Sequence, residues 1–170
     1  MNSSKNKVQF MTEAAMIAAI YTVLTLVLAP VSYGPVQFRV SEALCVLPYF
    51  TPAAIPGLFL GCLISNGAGM AMGTTILPDV IFGSLATLIG AYGSYALRRN
   101  KWLVCIPPIV ANALIIPFVL RYAYGSADLI PFMMVTVGIG EVLAVGVLGN
   151  LLLAALEKYS GRIFKKNHIA

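Results

Sequence analysis

The chain has 170 residues, 59% of them apolar and only 10% charged, with a formal net charge of +5 and a mean hydropathy of +0.89. A water-soluble domain carries roughly a quarter of its residues as charges, so the balance excludes one and leaves a single membrane domain over 1–170. Helices are the expected spans, because every backbone group in hydrocarbon must be satisfied internally and no period-2 barrel pattern runs through the chain.

Lys5 and Lys7 precede an apolar run from Ala14 to Ala29. The run imitates a secretory signal, and Val27 and Ala29 even fit a cleavage site. Pro30 would follow the cut directly, however, and the run outlasts a signal core, so a retained first helix near 10–29 is expected. Further helices are expected near 41–51, 54–72, 77–97, 102–122 and 130–156. Neutral stretches between Glu13 and Arg39, between Glu42 and Asp79, from Val80 to Leu97 and from Trp102 to Leu120 underlie this reading; a crossing needs about 20 residues. The 41–51 segment is the weakest, being short and interrupted around Pro48, Pro52 and Pro56. The 130–156 segment is longer than a crossing needs, which implies tilt or extension beyond the bilayer.

Charge parity restores the weak segment. Lys5 and Lys7, then Arg98, Arg99 and Lys101, then Lys158, Arg162, Lys165 and Lys166 form three basic clusters. The positive-inside rule puts all three on the cytoplasmic side, so an even number of crossings separates each pair. Six helices with both termini cytoplasmic satisfy this, leaving only Arg39 and Arg121 at the outer side. Trp102 and Tyr95 then flank the inner loop, while Tyr33, Tyr122 and Tyr124 fall at outer boundaries.

Small residues mark helix contacts. Gly57, Gly61, Ser65, Gly69 and Gly73 recur every four residues in the third helix, and Ala86, Gly90 and Ser94 in the fourth, a spacing that lets backbones approach within the bundle. The first helix carries Ala14, Ala15, Ala18 and Ala19, two overlapping pairs whose broad smooth face suits either internal packing or docking onto a partner helix. The fragment Gly67 to Gly73 loosely imitates a nucleotide-binding loop but follows no strand. Cys45, Cys62 and Cys105 read as small buried residues rather than disulfides or metal ligands, and His168 as a solvated bystander in the tail.

Polar groups at membrane depth are costly and mark functional candidates. Here they are Gln37, Arg39 and Glu42 at the outer start of the second helix, and Asn66 in the outer half of the third. Asp79 lies at the outer start of the fourth, Asn112 near the middle of the fifth and Glu141 near the middle of the sixth. Each has a simpler explanation. Arg39 and Glu42, three apart, could pair with each other; Asp79 follows Pro78 where a helix dipole favours a carboxylate; Asn112 could bridge two helices. Asp128 is explained by turn chemistry. Glu141 resists such explanation, since no basic residue is expected at its depth. Three carboxylates against one arginine amount to about −2 if all are ionised, which favours a cationic or donor-rich ligand; a carboxylate can accept two parallel N–H bonds from a guanine-like ring.

At these residues the chain resembles the QueT queuosine-precursor transporters, substrate-binding (S) components of energy-coupling factor (ECF) transporters. The resemblance lies in YGPVQFRVSEAL (33–44), LPYFTPAAIPGLFLGCLISN (47–66), DVIFGSLATL (79–88), PPIVANALIIP (107–117) and GIGEVLAVGVLGNLL (138–152). Where the family pattern has proline, this sequence has Asn150. The resemblance implies a six-helix bundle in the bacterial plasma membrane that captures a 7-deazaguanine (preQ1, preQ0 or queuine) from outside. It also implies a membrane-embedded coupling protein and a cytoplasmic ATPase pair as partners, with the alanine face of the first helix meeting the coupling protein. No cofactor, metal or nucleic acid is implied. Other readings are an S component for another micronutrient and a stand-alone proton-coupled carrier using Glu141 and Asp79. An integral membrane enzyme is disfavoured, because no Ser-His, Cys-His or metal constellation is present.

Overall fold

A computed structural model describes residues 2–33 and 38–159, and these are all helix, turn and loop, with no strand among them. Helix α1 runs Asn2–Val27 and is followed by a single turn, α2, at Ala29–Ser32. A 3-10 helix spans Val40–Tyr49, and α3 spans Ala54–Ala71. A π turn at Asp79–Gly83 leads into α4, Ser84–Ala96, and α5 runs Ile106–Tyr122. Helix α6, Ile130–Glu141, continues without interruption through a π segment, Val142–Gly149, into α7, Asn150–Glu157.

Three of these stretches are long and apolar enough to cross a membrane: Asn6–Val27, Ala54–Ala71 and Ile130–Glu157, the last with 28 residues. At 1.5 Å per residue it extends about 42 Å, beyond the roughly 30 Å of hydrocarbon. Large aliphatic side chains face outward, among them Val23, Ile64, Ile89, Leu114 and Ile139, each at least half exposed. Polar side chains such as Thr25, Ser41, Asn66 and Thr87 are buried. This inside-out distribution fits a lipid solvent, which leaves apolar surface at no cost but cannot satisfy polar groups.

The segment with the weakest sequence signal forms the centre of the core. All eight residues from Ser41 to Pro48 are buried, and the segment packs against α1, α4, α7 and the π segment. The 3-10 geometry rises about 2.0 Å per residue, so ten residues reach about 20 Å where an α-helix would reach about 15 Å. It also stacks every third residue, which aligns Glu42, Cys45 and Pro48.

Small residues set the closest approaches, inside the bundle. A Cβ on Gly57 would meet the Ala14 carbonyl oxygen at 2.8 Å, and one on Gly61 would meet Tyr21 Cβ at 2.7 Å and the Ala18 carbonyl oxygen at 3.0 Å. The stripe on α3 therefore packs against Ala14 and Ala18 of α1. Likewise a Cβ on Gly90 would stand 2.7 Å from Pro108 Cα, and one on Gly93 2.5 Å from Pro107 Cβ. Those two prolines occupy the first turn of α5, where a missing N–H is harmless. They start the helix at Ile106 rather than near 102, because the preceding residues are taken up by turns. Gly73, just past the end of α3, has φ +75, a left-handed conformation that glycine adopts without strain.

Side-chain bonds tie the ends of the elements. Thr51 Oγ1 donates to Glu13 at 2.8 Å, holding the corner before α3 against α1. Lys101 pairs with Glu157 at 3.3 Å, joining the α4–α5 connection to the end of α7. At the opposite end of α3, the Tyr33 hydroxyl donates to the Ser65 carbonyl at 2.8 Å. The three cysteines are buried and free.

Candidate functional site

Arg39, in extended conformation, caps the start of the 3-10 helix, and both it and Glu42 are buried. No salt bridge joins them among the described residues. Glu42 is instead held by neutral donors: the Tyr21 hydroxyl donates to one oxygen and the Cys45 thiol to the other at 2.9 Å. The second contact follows from the three-residue repeat of the 3-10 helix. The Arg39 guanidinium sits among Cys62, Tyr21, Glu42 and Tyr33. Its Nη1 donates weakly to Cys62 Sγ at 3.8 Å, and it lies 5.7 Å from the centre of the Tyr33 ring.

Asn66 and Asp79 form the next part of the cluster. Both side-chain hydrogens of Asn66 are directed: Nδ2 donates to the Asp79 carbonyl at 3.1 Å and to Cys62 Sγ at 3.4 Å. Gly83 makes this contact possible, since a Cβ there would lie 2.9 Å from Asn66 Nδ2. One Asp79 carboxylate oxygen accepts from the Ile76 N–H at 3.4 Å and from the Tyr124 hydroxyl. Tyr124 lies beyond the end of α5, in the connection to α6. Burial, and the carboxylate beside it, push its phenol above the ordinary range, so it stays a donor.

Glu141 closes the cluster from α6, at the junction where the helix widens into the π segment. Such widenings reorient side chains and recur at functional sites. The Glu141 carboxylate faces Glu42, Arg39 and Asn112. Neither Asn112 Nδ2 nor Glu141 Oε2 has a hydrogen-bond partner, although both are buried.

These residues share a further property. Six buried side-chain polar atoms among the described residues lack a hydrogen-bond partner: Ser32 Oγ, Arg39 Nε, Asn66 Oδ1, Asp79 Oδ1, Asn112 Nδ2 and Glu141 Oε2. Five of the six belong to residues singled out from the sequence, and each such atom costs about 1–3 kcal/mol if left unmet. Together they present three acceptors and two donors, with the carboxylates outnumbering the single guanidinium. That set suits a compact, polar, donor-rich ligand carrying at least one acceptor.

Of the residues expected at the site, Arg39, Glu42, Asn66, Asp79, Asn112 and Glu141 are all buried; Gln37 lies outside the described residues, as do Arg162, Lys165, Lys166 and His168. The alanine face of α1 divides. Ala14 and Ala18 are buried against α3, whereas Ala15 and Ala19 are exposed. With Val8, Met11, Thr12 and Met16 they line a shallow apolar groove on the outside of α1. Sequence reasoning missed Tyr21, Cys62 and Tyr124. Tyr21 shares a helix face with Ala14 and Ala18, but which alanine face of α1 is buried is decided only by where α3 packs.

A family model described as "QueT transporter" matches residues 11–158. The chain is also 39% identical over 87 residues to the Queuosine precursor transporter QueT of Lactococcus lactis subsp. cremoris (strain MG1363), a match covering 50% of this chain and 48% of that protein. It thus spans about half the length of that curated relative. No solved structure matches the chain.

Proposed function

The chain belongs to the QueT transporter family, and from that premise we propose that it is the substrate-binding component of an ECF-type, ATP-driven importer of a queuosine precursor, a 7-deazaguanine such as preQ1, preQ0 or queuine. The observation that carries this reading is the set of five unmet buried polar atoms on Arg39, Asn66, Asp79, Asn112 and Glu141. A deazaguanine offers N–H donors at N1 and the exocyclic amine and an acceptor at O6, a combination that answers both the acceptors and the donors of the cluster.

In this reading the chain crosses the membrane six times with both termini cytoplasmic. The Glu13–Thr51 and Lys101–Glu157 contacts lie at cytoplasmic ends. The Tyr33–Ser65 and Asp79–Tyr124 contacts lie at the outer end, where substrate arrives. The ten-residue 3-10 segment is the second crossing, shortened but surrounded by protein, which relieves it of meeting lipid. Energy is supplied by a membrane-embedded coupling protein and a cytoplasmic ATPase pair. Docking uses the outward half of the alanine face, Ala15 and Ala19, because Ala14 and Ala18 are occupied by α3.

Titration calorimetry of the purified full chain with preQ1, preQ0 and queuine tests the substrate. Micromolar or tighter binding of at least one is expected, and no binding of any of them defeats the reading. Uptake in proteoliposomes tests the coupling. Transport that needs the coupling protein, the ATPases and ATP is expected, whereas uptake by this chain alone defeats the importer assignment and favours a stand-alone carrier.

A further inference from the structure

The unmet atoms are not chemically uniform across the site, and their difference orients the ligand. Around Glu141 they alternate: the Asn112 amide approaches the Glu141 carboxylate, yet Glu141 Oε2, an acceptor, and Asn112 Nδ2, a donor, both lack a partner in hydrogen-bonding geometry. A lactam edge, with N–H beside C=O, answers such a pair. Around Asp79 both are acceptors. Asn66 Oδ1 is buried without a partner while its amide nitrogen donates to Asp79 and Cys62, and Asp79 Oδ1 stands free while its other oxygen is held by Tyr124 and Ile76. No salt bridge supplies a cation to Asp79 among the described residues. Two buried acceptors without a donor call for a group that brings several N–H bonds and positive charge, which an ammonium does and a nitrile cannot.

We propose that Asp79, positioned by Tyr124 and assisted by Asn66, is the specificity determinant of the site: it reads a protonated amine on the ligand's 7-substituent, while Glu141 and Asn112 read the neighbouring lactam edge of the ring. This rests on the reading of the ligand as a 7-deazaguanine. The site accordingly prefers an aminomethyl substituent over a cyano one. Tyr124 acts as a positioning residue: by occupying one carboxylate oxygen from a loop beyond α5, it fixes the direction in which the other points. Gly125, next in the chain, has φ +65, a left-handed turn that brings Tyr124 back over the π turn.

The test is calorimetric titration of the full chain with preQ1, which carries the aminomethyl group, and preQ0, which carries the cyano group. Wild-type protein is expected to bind preQ1 more tightly. Asp79→Asn, nearly isosteric, lowers the preQ1:preQ0 affinity ratio by about tenfold or more, a discrimination expected of one charged hydrogen-bonded contact. Tyr124→Phe, in an exposed connection, lowers the ratio about threefold, and it decides the matter should Asp79→Asn fail to fold. A structural role alone would weaken both ligands together and leave the ratio unmoved. A wild-type preference for preQ0, or a ratio unchanged in the variants that fold, overturns this inference while leaving the substrate class standing. Wild-type protein that binds neither compound overturns the proposed function and this inference with it.

Discussion

Alanine at Gly61 is the smallest perturbation of the α1–α3 contact, and its effect is expected to reach the candidate site. Its Cβ would lie 2.7 Å from Tyr21 Cβ and 3.0 Å from the Ala18 carbonyl oxygen. Carbon atoms in contact prefer about 3.5–4.0 Å, so α1 must retreat by about 1 Å. The obstructing atoms are backbone and the root of a side chain, so no flexible tip can swing aside. Overpacking of this kind costs about 1–3 kcal/mol, and in a bilayer close approach is much of what holds two helices together. Retreat of α1 also draws the Tyr21 hydroxyl away from Glu42, whose carboxylate faces Glu141. Gly67 on the same helix provides the matched control, because a Cβ there meets nothing within 4 Å. In detergent, the thermal midpoint of Gly61→Ala should fall below that of Gly67→Ala by roughly 2–4 °C per kcal/mol lost, with ligand affinity reduced severalfold. Equal midpoints for the two variants would refute the packing derived for this contact.

The remaining expectations concern the site and the outer face of α1. Glu141→Gln should weaken ligand binding about tenfold, near 1.4 kcal/mol, the scale of one charged hydrogen bond, with the thermal midpoint retained; calorimetry checks it, and unchanged affinity removes Glu141 from the site. Tyr21→Phe leaves one Glu42 oxygen without its donor and should cost about 1–3 kcal/mol of stability, measured by thermal unfolding of the ligand-free protein. Ala15→Leu should preserve binding but impair ATP-driven uptake with the complete transporter, whereas Ala18→Leu should destabilise the bundle itself, since Ala18 lies against Gly61. Reading uptake and thermal midpoint on both variants separates docking from packing.

Much of the candidate site was legible because hydrocarbon punishes polarity. Arg39, Glu42, Asn66, Asp79, Asn112 and Glu141 stand out in a chain with so few charges, and depth along the expected helices was enough to group them. Their partners were not legible. The three-residue spacing of Arg39 and Glu42 suggested an ion pair, yet Glu42 is held by Tyr21 from another helix and by Cys45. Neutral residues such as Tyr21 and Cys62 give no depth signal, so their place in the cluster depends on which helix lies beside which.

The helical, membrane-embedded character of the chain, its buried polar set and the small-residue stripes followed from local composition and periodicity, which a one-dimensional pattern carries. Tertiary structure decided what that pattern cannot encode. It assigned Ala14 and Ala18 to the interior and Ala15 and Ala19 to the surface, because only the position of α3 distinguishes two adjacent faces of the same helix. It drew the proline-interrupted stretch into a 3-10 helix, because a short segment enclosed on all sides gains reach by tightening. And it set Tyr124 on Asp79 across 45 residues of chain, a contact that exists only once α4 and α5 are packed together.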